Sequence, residues 1–233
     1  MTLLPALASA VREDLLETEG VKKLPLSRRA EPVFSSGSPA THIYFLDSGL
    51  VRIAKPASSG KEIMLGIIGA GDIFGEQALL NEGAFAVSAK VMEPGLAYAI
   101  PSGAFQNFCE KRPEAWRLLM QHFLLRKDEL ERKVEHLCTS DVRQRILYHL
   151  TELARMYPGS DSRGQLIHMS QNELASLVGA TRETTSTTLN SLARQGLLSL
   201  GHRLILIPSV EALRNAGGSA QTQPAAAAGS PQQ

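Results

Sequence analysis

From Trp116 onward the large side chains keep one phase. Trp116, Met120, Phe123, Lys127, Leu130, Val134 and Leu137 are separated alternately by four and three residues. That spacing draws a single stripe along a helix of roughly three heptads, whereas a strand repeats its faces every second residue. The stripe predicts one long helix that pairs with a copy of itself, with Trp116, Met120, Phe123, Leu130, Val134 and Leu137 at the interface. The alternative is a single helix laid against the rest of its own chain. Lys127 interrupts the stripe, and a charge there can snorkel, set register, or face a ligand cavity at the subunit boundary.

The helix divides two different regimes. Val21 to Pro101 carries short apolar runs punctuated by glycine, clearest in HIYFLDSGLVRI and EIMLGIIGAGDIFGE. Strand-length runs so closely spaced predict a β sandwich or barrel, with Asp47-Ser48-Gly49 as a turn between two strands. Gly69, Gly71 and Gly75 read as turns or close backbone approaches. The start, MTLLPALASAVREDLL, predicts a short amphipathic helix. Acids follow its apolar residues too soon for a signal peptide, and no run is long enough to span a membrane. Cys109 and Cys138 supply neither a disulfide framework nor a four-thiolate site, and read as buried or semi-buried thiols of a cytoplasmic protein.

Beyond Thr139-Ser140 the elements are shorter. Asp141 with Gln144, and Ser170 with Glu173, are capping boxes, predicting helices through about Met156 and from Gln171 to Val178. PGSDSRGQ between them reads as a polar loop. Gly179-Ala180 breaks the chain, and Thr181 caps the next helix. LLSLGHRLILIP reads as a hairpin turning at Gly201-His202. The tail GGSAQTQPAAAAGSPQQ has no large apolar residue and should be disordered. The expected divisions are 1–112, 113–139, 140–214 and a tail, 215–233.

The helix after Gly179 is odd in composition. Seven of the eleven residues from Thr181 to Ser191 are threonine or serine, which are mediocre helix formers. Two short helices joined by a tight turn match helix-turn-helix geometry. Leu189 and Leu192 face inward, leaving Arg182, Glu183, Ser186, Thr187 and Asn190 together outside. Short hydroxyls let such a helix sit deep in a groove. Arg182 can clamp a guanine and Glu183 can accept from a cytosine amine, while Thr181, Thr184 and Ser186 suit phosphates or base edges. The net charge of +1 is uninformative, but from Ser140 the chain has eight arginines, no lysine and six acids. Arginine suits directed phosphate and base contacts. Arg143 and Arg145 are weaker candidates. The alternative function is a ligand-sensing dimer with a protein-binding output. An enzyme is not expected, because no nucleophile stands with a base and GIIGAGDIFGE lacks the other residues of a kinase.

Taken together, HIYFLDSGLVRI, GKEIMLGIIGAGDIFGEQALL, DVRQRILYHL, MSQNELASLVGATRETTSTTLNSLARQGLL and the closing hairpin resemble the catabolite activator / fumarate–nitrate reductase regulator (CRP/FNR) superfamily of bacterial transcription factors. The resemblance implies an α+β fold: a cyclic-nucleotide-binding-like β roll, a long central dimerisation helix and a C-terminal winged helix-turn-helix. It implies a homodimer reading an inverted repeat of double-stranded DNA, with Arg182 and Glu183 as base readers and RNA polymerase as a further partner. Where the catabolite activator has a second arginine a turn along this helix, the chain offers Thr187 or Ser186, so its outer-base preference should differ. Nucleotide-binding members hold the ribose with a Gly-Glu pair, kept as Gly75-Glu76, and the cyclic phosphate with an Arg-Ser or Arg-Thr pair. Phe85-Ala86 stand at that second place, and no arginine occurs from Glu62 to Lys90. Cyclic AMP is therefore not the expected effector, and Lys127 is the candidate for an unusual anionic one. The cysteine cluster of oxygen sensors is absent. The isolated His42, His122 and His136 do not suggest haem, so no cofactor is expected.

Overall fold

The computed structural model describes residues 5–28, 31–58, 62–80, 83–157 and 160–217. A short helix α1 (Pro5–Ala10) runs into a π-helical turn, Val11–Leu15, and together they bury Leu7, Val11 and Leu15 at helical spacing. Five strands follow: β1 (Lys22–Leu26), β2 (His42–Pro56), β3 (Glu62–Ile68), β4 (Asp72–Phe74) and β5 (Ser88–Pro101). They form an antiparallel sheet in the order β1-β5-β2-β3, with β4 also paired to β2.

β2 shows why its apolar run is continuous and not alternating. Ile43 and Phe45 point into a core beneath α1 and the helices after β5, while Tyr44 and Leu46 point into the roll against Phe34, Phe74 and Phe85. Both faces are covered.

The expected turn at Asp47-Ser48-Gly49 is not a hairpin. β2 continues through it, paired to β4 before it and to β3 after it, with register shifts against β5 between Leu46 and Val51. Gly49, at φ 93°, lies where a Cβ would meet the Glu93 carbonyl oxygen at 2.7 Å. The Asp-Ser-Gly signal marks a bulge that bends one long strand over a close backbone crossing.

Next come α2 (Ser102–Lys111) and α3 (Pro113–Thr139), whose 27 residues make a rod about 40 Å long. Pro113 opens α3 at the first helical position, where its missing N–H costs nothing. α4 (Val142–Met156), α5 (Gln171–Val178) and α6 (Arg182–Arg194) form the third region with β6 (Ser160–Asp161), β7 (Gly164–Ile167), β8 (Ser199–Gly201), β9 (Leu204–Ile207) and α7 (Val210–Ala216). Both capping boxes are formed, and Thr181 accepts from Thr184 N–H. The polar loop expected at PGSDSRGQ is a correction: part of it is the β6–β7 hairpin, and β7 pairs with β9 in a sheet ordered β6-β7-β9-β8. α7 also runs past residue 214 to Ala216. Most of the expected disordered tail, from residue 218, lies outside the described residues.

Cys109 is fully buried, and burial pushes its thiol up to about 11. Cys138 corrects the expectation of a buried or semi-buried thiol: it is exposed near the end of α3. No helix among the described residues is long and apolar enough to cross a membrane.

Candidate nucleic-acid interface and adjoining cavity

α5 and α6 are held by local chemistry. Gly179 ends α5 in the left-handed conformation (φ 65°), as a C-terminal glycine should. Leu174, Val178, Leu189 and Leu192 meet in one core with Ile205 and Ile207 of the hairpin. Glu173 joins the units: burial raises its carboxyl, but the Ser170 hydroxyl and N–H, with Arg203, hold it below its usual value. Arg203 donates to both Glu173 oxygens at 3.0–3.2 Å from the hairpin tip, where its own φ is 54°.

The outer side of α6 fits the expected face. Thr181, Arg182, Glu183, Thr184, Thr187 and Asn190 are exposed, and Ser186 is half-buried. Several hydroxyls are already engaged. Thr184 is within 3.0 Å of the Thr181 hydroxyl, and Thr188 donates back to the Thr184 carbonyl at 2.8 Å. Arg182 makes no hydrogen bond or ion pair among the described residues. It also sits at the first turn of α6, where the helix dipole disfavours a cation. No contact among the described residues requires a guanidinium there.

Arg143 and Arg145 are used otherwise. Arg143 donates to the Gln195 side chain at 3.1 Å. Buried Arg145 donates to the carbonyls of Val178 (2.8 Å) and Ser140 (2.6 Å), tying α4 to the end of α5. Arg194 and Arg203 have no role in the expected face, to which Asn190 belongs. Arg194, four residues past Asn190, lines a shallow concavity on α6 with it and Thr187, an addition that helical spacing alone could have supplied.

Along α3 the stripe is largely uncovered. Trp116, Met120, Leu130, Val134 and Leu137 are 41–61% exposed, and Leu124 adds to them at 53%. Phe123 is half-buried against the core beneath α1 and the helices after β5. Leu137 also reaches the helix-turn-helix, since a Cβ on Gly179 would meet its Cδ2 at 2.7 Å.

A cavity of about 730 Å3 lies between the roll, α3 and α4. Of the expected effector residues, Gly75 and Glu76 line it. Gly75 takes φ 78° with Tyr44 and the His42 carbonyl close by, so the position suits glycine alone. Phe85 and Ala86 are not among the lining residues. Phe85 is buried with its ring stacked 3.9 Å from Phe34, and Ala86 N–H donates to Gln77 Oε1 at 2.9 Å. Lys127 is the clearest correction. It points away from the cavity into solvent and pairs with Glu131. The cations that α3 turns inward are Arg126, Arg132 and Lys133. Arg126 is held by buried Asp72 at 3.0 Å, which also faces buried His122 at 3.2 Å.

His149, on α4, lines the same cavity. Burial, with Lys133, His136 and Arg145 nearby, lowers its imidazole to about 3. The unfolded chain binds this proton below about pH 6.5 and the folded chain refuses it until about pH 3, so stability should fall as pH drops through that window. Denaturant titrations at pH 7 and pH 4.5 should show His149→Gln losing less stability than wild type, by on the order of 1–2 kcal/mol. Equal losses would place a charged imidazole in the folded protein.

Comparison with known proteins agrees with this architecture. A cyclic nucleotide-binding domain family matches residues 27–112, and a Crp-like helix-turn-helix domain family matches residues 144–216. The chain is 31% identical over 188 residues to a CRP-like cAMP-activated global transcriptional regulator of Mycobacterium tuberculosis, covering 79% of this chain and 84% of the relative. It is 30% identical to the cyclic AMP receptor protein of Thermus thermophilus, covering 74% and 78%. A CRP-family transcriptional regulator of Thermus thermophilus has a similar crystal structure, with TM-score 0.73 at 27% identity over 85% of this chain and 97% of that one. The c-di-GMP-responsive global regulator CLP of Xanthomonas campestris gives TM-score 0.69 at 26% identity, covering 81% and 93%.

Proposed function

Because the chain belongs to the catabolite activator / fumarate–nitrate reductase regulator family of DNA-binding transcription regulators, we propose that it reads an inverted repeat as a homodimer without cyclic AMP as its switch. One observation carries the reading: the Arg182 guanidinium at the head of α6, without a partner among the described residues, beside Glu183 and a face of short hydroxyls. Arg182 reads a guanine and Glu183 a nearby cytosine. Thr181, Thr184, Ser186 and Thr187 contact phosphates or base edges. The half-sites lie roughly 34 Å apart. The protein acts in the cytoplasm at promoters, with RNA polymerase as a further partner.

The relatives named for cyclic AMP make the effector question sharp. In this chain the place of the phosphate-binding pair holds an aromatic stack and an N–H already bonded to Gln77. Arg126, lower in the same cavity, is committed to Asp72. An unpaired buried charge costs about 3–5 kcal/mol, on the order of a thousandfold in affinity.

Calorimetry should therefore show no cyclic AMP binding at micromolar concentration, and a labelled duplex should bind equally with and without it. Micromolar binding that tightens DNA association would refute the effector part of this reading. Failure of every duplex in the absence of ligand would refute the rest.

A further inference from the structure

The outer face of α6 runs on past Thr187. Arg182, Ser186, Asn190 and Arg194 follow one another at intervals of four, which makes them one ridge of the helix surface, about 18 Å from end to end. Arg182, Asn190 and Arg194 are exposed and Ser186 is half-buried. None of the four side chains makes a hydrogen bond or ion pair among the described residues.

The neighbouring polar row is already engaged within the protein. Thr184 meets the Thr181 hydroxyl, and Thr188 donates to the Thr184 carbonyl. Gln195 donates to the Ser191 hydroxyl at 3.4 Å and accepts from Arg143 at 3.1 Å. The ridge is open where the row beside it is closed.

Its chemistry changes along its length. A guanidinium stands at each end, with a serine and an asparagine between them. Asn190 lies a little over two turns past Arg182, a distance of about three or four base pairs along a duplex. Its amide presents a donor and an acceptor side by side, the pair that adenine N7 and N6 complement, whereas a single hydroxyl cannot meet both at once. The helix itself does not call for asparagine at an exposed interior position, where it is a mediocre helix former. The shallow concavity that Asn190 forms with Thr187, Ala193 and Arg194 leaves the amide approachable from outside. Arg194 suits the negative end of a helix, and its place on the ridge also sets it at the wall of a groove that the helix enters.

We propose that α6 reads DNA along its whole length: Asn190 specifies an adenine through paired hydrogen bonds to N6 and N7, and Arg194 holds a phosphate beyond it. This rests on α6 being the DNA-reading helix. It adds to the Arg182–Glu183 end a second specified position, about three or four base pairs from the Arg182 guanine in each half-site.

The test is selection of preferred DNA from a random pool, run on the full-length protein as wild type, Arg182→Ala, Asn190→Ala and Asn190→Asp. Wild type should prefer adenine at the second position by roughly 5- to 100-fold, and Asn190→Ala should bring that preference under about twofold while keeping the guanine. Asn190→Asp, close to the same shape but able only to accept, should move the preference from adenine to cytosine. Loss of helix packing does not produce such an exchange. Arg194→Gln should weaken every duplex alike and lower the slope of log affinity against log salt by about 2 for two protomers. An unchanged slope overturns the phosphate anchor, leaving Arg194 to the helix end. A motif from Asn190→Ala that equals the wild-type motif at every position, while Arg182→Ala flattens its guanine, overturns the adenine reading and leaves Arg182 in place. If Arg182→Ala is also without effect, the recognition face is wrong and this proposal falls with it.

Discussion

A chain carrying Leu130→Asp and Val134→Asp should run in solution at its monomer mass of 25.2 kDa, where the wild type runs at about twice that. Both residues are 53% exposed in the protomer, so neither supports its own fold heavily. Each lies in a row of large apolar residues that one chain leaves uncovered along most of α3. Monomeric proteins rarely expose so continuous an apolar stripe. Fully burying a leucine or valine contributes about 1.5–3 kcal/mol; roughly half of each of the four side chains per dimer remains to be covered, so the two changes remove on the order of 3–6 kcal/mol of association. Four carboxylates facing one another across the seam add repulsion. Loss of the dimer makes binding to two half-sites two separate events, and affinity for a full site should fall about 10²–10⁴-fold. Light scattering at micromolar concentration, with circular dichroism to confirm folding, checks the first part. An unchanged dimer mass would mean that α3 is not the shared element.

Several elements were legible in the sequence because they rest on chemistry within a few residues. Asp141 with Gln144, Ser170 with Glu173, Thr181 and Gly179 each mark a helix end through bonds that span one turn. The heptad phase gave α3 for the same reason. What escaped was set by contacts distant in the chain. β2 was divided at Gly49 because a glycine in a bulge and one in a hairpin look alike until the crossing strand, with its Glu93 carbonyl, is in place. β6 and β7 are too short to show a period, and β7 exists because β9 offers it an edge.

At the site, the exposed face of α6 followed from helical spacing, but the cavity did not. Its walls come from Phe34 to Leu177, and no local pattern announces them. Lys127 was singled out because it interrupts the seam. Lys133, inside the run of charged residues from Arg126 to Glu135, carries no such mark, yet the roll-facing side of α3 buries it under β3. Arg145 resembled a phosphate contact for a similar reason: its carbonyl partners, Val178 and Ser140, are visible only in the folded chain.

The second large effect concerns Arg182 on the recognition face. A guanidinium bidentate to guanine contributes about 1–3 kcal/mol of discrimination, and a symmetric dimer uses it in both half-sites, so Arg182→Ala should weaken the full site by about 2–6 kcal/mol. Removing a cation from the first turn of α6 should leave the fold intact or slightly more stable. Thr181→Ala should behave differently. It removes the cap on Thr184 N–H and a phosphate contact, weakening all sequences alike. The most direct measurement is selection of preferred DNA from a random pool, run in parallel with wild type and Arg182→Ala and without added ligand. The account predicts an inverted repeat for wild type, and for the variant the same repeat with preference flattened at one guanine in each half-site. The same motif from both proteins, equally strong at every position, would contradict it.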